Sequence, residues 1–168
     1  MRALQGLGLA TRQEDGWSPE RDALLDALLE QYQGPGGEER HFYALESPLE
    51  LLLRTSQKKR ERVWVSADLG PDLIVGWRRP TTLILYLKRF EDFSFGDLVL
   101  ARGQADANVI VRVPEDTSVF CWIDHRLSVK DADIKVAEHT QMLWDLIDLG
   151  GEDRIEGSRL LREWIFNQ

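Results

Sequence analysis

The chain has 168 residues, of which 43% are hydrophobic and 30% are charged, and its formal net charge is −8. This length is typical of one globular domain, and six Trp, six Phe and three Tyr exclude a disordered acidic chain. The lone Cys121 excludes an intramolecular disulfide and a zinc cluster of thiolates. The apolar stretches, such as 83–87, are far shorter than the ~20 residues that a membrane span needs.

The amino-terminal residues fit a secretory signal poorly, because Gln5, Gly6 and Gly8 interrupt their apolar run. We therefore expect a cytoplasmic protein with no membrane partner. We also expect a single globular domain over residues 1–168, with residues 1–16 as a flexible arm.

Two helices are predicted near the amino terminus. Ser18-Pro19 is typical of a helix start, and apolar residues at helical spacing follow up to Tyr32, before a Gly-Pro-Gly-Gly stop. The second helix begins with a capping box, in which the Ser47 hydroxyl accepts from the Glu50 N–H and the Glu50 carboxylate accepts from the Ser47 N–H. We expect that helix to end near Ser56.

The hydrophobic period then becomes that of strands. Residues 62–67 alternate as in a half-buried strand, Gly70-Pro71-Asp72 predicts a turn, and residues 73–78 predict the second strand of a hairpin. Residues 81–90 are apolar on both sides, which is typical of a strand covered on both faces. Further strands are predicted over 97–102, 108–113 and 118–124. The short gaps between strands indicate mainly antiparallel pairing.

Two helices are predicted at the carboxyl end. One begins at Ser128 or Asp131 and ends at Leu149, before Gly150-Gly151, and the second includes the apolar residues of 160–165. The sequence therefore predicts an α+β fold: a mostly antiparallel five- or six-stranded sheet with two N-terminal and two C-terminal helices packed on it.

Charge is divided along the chain. Residues 1–53 hold four basic and ten acidic side chains, residues 54–89 hold nine basic and three acidic ones, and residues 90–168 hold eight basic and sixteen acidic ones. The first half of the sheet is thus basic between two acidic regions. The favoured interpretation is that these opposite charges neutralise each other within the domain.

The basic segment also contains the candidate partner-binding residues. Cations and aromatic rings occur together on the predicted hairpin and its approach, and this mixture suits an acidic protein partner or single-stranded nucleic acid. A net charge of −8 and a pI near 4.9 disfavour nucleic acid. The candidates are Lys58, Lys59, Arg60, Arg62, Trp64, Trp77, Arg78 and Arg79.

Evidence for catalysis is weak. Cys121 and His125 lie four residues apart on a predicted strand, about 13 Å, so they cannot share a hydrogen bond, and Cys121 is expected on a core face. His139 is expected to be a core or interface histidine on the apolar side of its helix. Asp124 and His125 could serve a small metal-dependent hydrolase or nuclease, but no metal-ligand spacing supports it.

The sequence therefore predicts a non-enzymatic intracellular protein-interaction module, such as an adaptor, a chaperone, an immunity protein or a small subunit of a larger assembly. We expect no catalytic residue, metal or cofactor. A nucleic-acid-binding component that uses the basic hairpin at 54–89 is the alternative, and the hydrolase or nuclease around Asp124 and His125 is a second one.

Overall fold

The structure is a computed structural model that describes residues 2–58, 63–96, 98–121, 126–130 and 132–168. It divides into two compact units, Met1–Gly34 and Pro35–Gln168. The expectation of a single domain with an amino-terminal arm stays a prediction. No helix in the described ranges is long and apolar enough to cross a membrane.

The first unit contains two short helices and a hairpin. Its antiparallel strands pair Ala10 with Pro19 and Gln13 with Gly16. Ser18 and Pro19 lie in a strand, so the predicted helix start there is wrong, and the helix begins two residues later at Arg21. The elements are α1 (Arg2–Gly6), β1 (Ala10–Gln13), β2 (Gly16–Pro19) and α2 (Arg21–Gln31).

The second unit is an α+β fold built on a seven-stranded sheet, with strand order β6-β3-β7-β5-β4-β9-β8. Four neighbouring pairs are antiparallel, whereas β5–β7 and β4–β9 are parallel. The strands are β3 (Glu38–Tyr43), β4 (Val63–Ala67), β5 (Leu83–Leu87), β6 (Val99–Leu100), β7 (Val109–Val113), β8 (Arg126–Val129) and β9 (Ala132–Val136).

The helices of this unit are α3 (Pro48–Lys58), α4 (Leu69–Val75), α5 (His139–Leu149) and α6 (Glu152–Phe166). Short 3₁₀ helices occupy Phe90–Asp92, Gln104–Asp106 and Thr117–Phe120. The α+β class is confirmed, although the sheet has more strands than predicted and β3 was not predicted. Strands β5 and β7 can pair in parallel because residues 88–108 are long enough for the crossover connection that parallel pairing requires.

Both faces of the central sheet are covered. On one face, Val65 and Leu85 belong to an apolar core with Leu51 and Leu52 of α3. Ser66 and Tyr86 point to the opposite face by strand alternation, where their hydroxyl groups contact Asp145 of α5. All five residues of β4 are therefore buried, and the prediction of a half-buried strand is wrong. The prediction that the 81–90 strand is covered on both faces is confirmed.

The capping box before α3 is confirmed. Ser47 N donates to Glu50 Oε2 at 3.1 Å, and Glu50 N donates to Ser47 Oγ at 3.4 Å. Hydrogen bonds from the Ser47 side chain and backbone lower the pKa of Glu50. The helix begins at Pro48, whose missing N–H costs nothing in a first turn.

The predicted hairpin over 62–78 is wrong, because its second strand is the helix α4. Gly70 and Pro71 lie in the first turn of that helix, where proline is tolerated, and Gly76 ends it with a φ of 63°. The strand actually paired antiparallel with β4 is β5.

The helix predicted from 128 to 149 is also wrong in its first half. Residues 126–129 and 132–136 form the antiparallel pair β8–β9, and Lys130 has a φ of 48°, which lies outside the α-helical region. Ser128 lies in β8, and Asp131 lies outside the described residues. Helix α5 begins at His139, where the Glu138 carboxylate accepts from the N–H groups of Thr140 and Gln141. The strand predicted over 118–124 is a 3₁₀ helix up to Phe120, and 122–125 lie outside the described residues.

Helix α6 is confirmed and approaches the loop after α4 closely. A Cβ atom at Gly157 would lie 2.7 Å from ring atoms of Trp77. An alanine in a helix usually stabilises relative to glycine, but here it must displace an indole.

We expect Gly157→Ala to lower the free energy of unfolding by about 1–3 kcal/mol, because the added methyl group overpacks this contact. Urea denaturation followed by circular dichroism measures the change. Ser158→Ala, at the next position of α6, is the control and should change stability by less than about 0.5 kcal/mol. A stabilised Gly157→Ala protein would contradict the close packing.

Candidate functional site

The predicted partner-binding residues that the structure describes lie in different surroundings. Trp64 is only 2% exposed and packs against Phe120, with ring centroids 4.6 Å apart. The ammonium groups of Lys135 and Lys88 lie 4.8 and 5.9 Å from the Trp64 ring centroid. Trp64 is therefore a core side chain with cations at its rim, and it is too buried to stack on a base.

Trp77 and Arg78 lie together, but they face inward to other parts of the same unit. Trp77 packs on Gly157 of α6, and its ring centroid is 4.7 Å from the Arg78 guanidinium carbon. Arg78 binds the carboxylates of Asp68 at 2.7 Å and Asp153 at 2.6 Å. Arg79, the next residue, is exposed.

The remaining candidates are described only in part. Lys58 ends α3, and Lys59, Arg60 and Arg62 lie outside the described residues. Elsewhere in the basic segment, Arg54 binds Glu46 at 2.9 Å. Arg54, Arg78 and Arg89 thus pair with acids of the same unit, as the favoured interpretation of the charge pattern expects. The contacts described for Lys88 are with aromatic rings.

Sequence reasoning missed a buried ion cluster around Asp68. This carboxylate is fully buried at the start of α4 and accepts hydrogen bonds from Arg154 Nε at 2.7 Å and from the Thr82 N–H at 3.0 Å, besides Arg78. Burial opposes ionisation of Asp68, but the hydrogen bonds from Arg154 and Arg78 outweigh it and lower the pKa. The cluster joins α4, α6 and the segment before β5.

A second buried network lies between the sheet and α5. The Asp145 carboxylate accepts hydrogen bonds from Ser66 Oγ at 2.5 Å, Tyr86 OH at 2.8 Å, Arg112 Nη1 at 2.8 Å and Gln141 Nε2 at 3.2 Å. Every side chain of this network is at most 8% exposed. The side chains around Asp145 are therefore shielded from solvent.

Burial dominates the electrostatics of this second network. It raises the pKa of Asp145 to about 6, against the opposing effects of Arg112 and of hydrogen bonds from Ser66 and Tyr86. Burial and the Asp145 charge also raise the pKa of Tyr86 well above its usual value. Burial opposes the charge of Arg112, but the negative charges of Asp145 and Glu39 and the hydrogen bond to Tyr86 outweigh it and raise the pKa, so the guanidinium stays charged.

The network reaches the surface through β3. Arg112 Nε donates to Glu39 Oε2 at 2.5 Å, and Glu39 Oε1 lies 2.7 Å from His41 Nε2. Asp148 Oδ2 lies 3.7 Å from Arg112 Nη2. The Arg112 guanidinium therefore faces three carboxylates, those of Asp145, Glu39 and Asp148. The last two are partly exposed to solvent.

Exposed apolar side chains lie at the edge of the sheet that β3 and β6 form. Tyr43 and Val99 are paired across the two strands and are 45% and 66% exposed. Leu45 follows β3 and is 93% exposed. Leu100 of β6 is 71% exposed, but it pairs with the core residue Phe42 and therefore points to the opposite face of the sheet from Val99. We call Tyr43, Leu45, Val99 and Leu100 the edge patch.

The main chain at this edge is also open. Ala101 N donates to His41 O, so residues 99 and 101 face β3, and the N–H and C=O of Leu100 point away from it. Exposed apolar side chains on an edge strand are a feature that proteins usually avoid, because another chain can pair there.

The described residues do not assemble a catalytic site around the candidate catalytic residues. Cys121 is exposed and does not lie on a core face, so that expectation is wrong. It lines a depression of about 300 Å³ with Lys88 and Thr117. Asp124 and His125 lie outside the described residues, and His139 is buried edge-on against Trp164 at 4.6 Å between centroids. The described ranges contain no group of three or more His, Cys, Asp or Glu placed to bind a metal ion.

Comparisons with known proteins add no assignment. No protein family, curated protein or solved structure matches the chain.

Proposed function

We propose that the protein is a protein-interaction module and that its partner binds the edge patch. The observation that carries the proposal is the exposure of Val99 on one face of an edge strand, beside Tyr43, and of Leu100 on its other face. An edge strand with exposed apolar side chains on both faces can pair with a strand of another protein, whereas isolated exposed apolar residues are common on any protein.

Burial supports binding over catalysis. Ser66, Tyr86 and Asp145 could do acid–base chemistry, but they satisfy one another inside the unit. A nucleic-acid function is also less favoured, because Trp64 is buried and Arg78 is held by Asp68 and Asp153. Both would have to be exposed to stack on bases or bind phosphates.

The test compares two surface variants of the full chain. Val99→Lys with Leu100→Lys places cations on the edge patch, which is how natural edge strands resist pairing. Ile155→Lys is the control, because Ile155 is 69% exposed on α6 and lies outside the patch.

We expect affinity capture from the source cells to recover one protein with the wild type and with Ile155→Lys, but not with the edge variant. Calorimetric titration of that purified protein should show binding weakened by at least about tenfold for the edge variant, or about 1.4 kcal/mol. Equal affinities for the edge and control variants would show that the partner binds elsewhere. The absence of any partner would contradict the proposed function itself.

A further inference from the structure

The edge patch continues into the acidic surface of β3. Glu39, His41 and Tyr43 share one face of the strand because side chains alternate, and Val99 pairs with Tyr43 on that face. Glu39 and Tyr43 lie about 13 Å apart along the strand, a length that four extended residues span. An extended segment could therefore contact the apolar and the acidic parts together.

The acidic part has more negative charge than its own cations neutralise. The carboxylates of Glu39, Asp148 and Asp145 all lie within 4 Å of Arg112 nitrogens, at 2.5, 3.7 and 2.8 Å. Arg40, the arginine of β3, lies on the opposite face with its guanidinium 3.8 Å from the Phe90 ring centroid. The excess charge faces solvent at Glu39 and Asp148.

This combination favours one kind of partner. A cation on the partner can approach Asp148 and Glu39 while apolar side chains cover Tyr43 and Val99. A phosphate backbone would be repelled by the two carboxylates. A second copy of the chain would bring two such carboxylate sets and two net charges of −8 together.

We infer that the edge patch binds a segment of a partner protein whose aliphatic side chains are flanked by Lys or Arg. The inference rests on the proposed function and adds the chemistry of the partner. It predicts that charge at Asp148 sets affinity, although Asp148 lies on α5 and outside the apolar patch itself.

A random peptide library displayed on phage, selected on the full-length protein, provides the test. We expect the enriched peptides to combine aliphatic residues with Lys or Arg. For one synthesised peptide from this set, Asp148→Asn should weaken binding by about three- to tenfold and added salt should weaken it further. Glu152→Gln is the matched control, because it removes an exposed carboxylate at the start of α6.

Enrichment of acidic or uncharged peptides, or equal binding by Asp148→Asn and Glu152→Gln, would overturn the inference. If acidic or uncharged peptides were enriched and bound the double variant Val99→Lys, Leu100→Lys less tightly than the wild type, the proposed function would stand with a different partner chemistry. A failure to enrich any peptide, or a dimer of the chain that Val99→Lys dissociates, would also overturn the inference.

Discussion

Replacing Asp145 with alanine should lower the free energy of unfolding by about 3–5 kcal/mol. The change removes the shared acceptor of Ser66, Tyr86 and Gln141. It also removes the closest buried counter-charge of Arg112, and breaking one side of a buried ion pair is costly. Chemical denaturation at neutral pH measures the loss.

Asp148→Ala is the matched control for this prediction. Asp148 lies three residues further along α5 and approaches the same guanidinium, but its side chain is 39% exposed and 3.7 Å away. We expect a loss of less than about 1 kcal/mol. Similar losses for the two variants would mean that the buried network does not hold α5 on the sheet.

The pH dependence of Asp145 has a definite sign. Its pKa is about 6 in the folded protein and near the usual 3.8 when unfolded, so the folded state binds the proton more tightly. Protonation of Asp145 therefore stabilises the folded state. This stabilisation is fully present below about pH 4 and is lost as the pH rises through about 6. Relative to Asp145→Asn, the wild type should therefore lose about 3 kcal/mol between those values.

The second large effect is expected at Asp68. Asp68→Asn should lower the free energy of unfolding by about 3 kcal/mol, because Arg78 and Arg154 lose their shared buried counter-ion. An asparagine NH₂ group would also face the N–H groups of Thr81 and Thr82, which are donors themselves. Urea denaturation at neutral pH measures the effect.

Asp153→Asn is the control, because Asp153 binds the same Arg78 from an exposed position. We expect less than about 1 kcal/mol there. The pKa of Asp68 is lowered, so its stabilisation is present above the unfolded value of 3.8 and is lost as the pH falls through the lower folded value. A difference between wild type and Asp68→Asn that persists in strong acid would contradict this assignment.

Local signals predicted part of the fold. The Ser47–Glu50 capping box and the apolar run over 83–87 each have one structural interpretation, and both are confirmed. Gly70-Pro71 has two structural interpretations, because glycine and proline occur both in loops that reverse the chain and in the first turn of helices. The helical interpretation is the one that buries Leu69 against the core.

The buried ion networks could be anticipated only in outline. Arg112 is a charged residue in an otherwise apolar strand, and such a residue needs a buried partner. Its partner Asp145 lies 33 positions away on a helix, and no pattern along the chain identifies that pairing. The edge patch could not be predicted from the sequence, because it depends on the strand order that places β6 outside β3 at the edge of the sheet.

We expect a partner protein to occupy the edge patch in the cell. Site-specific photocrosslinking tests it directly, with a photoreactive residue at position 99 and, as the control, at position 155. The proposed function predicts one discrete adduct from position 99, identifiable by mass spectrometry, and none of that mass from position 155. Adducts of equal yield from both positions, or none from position 99, would contradict it.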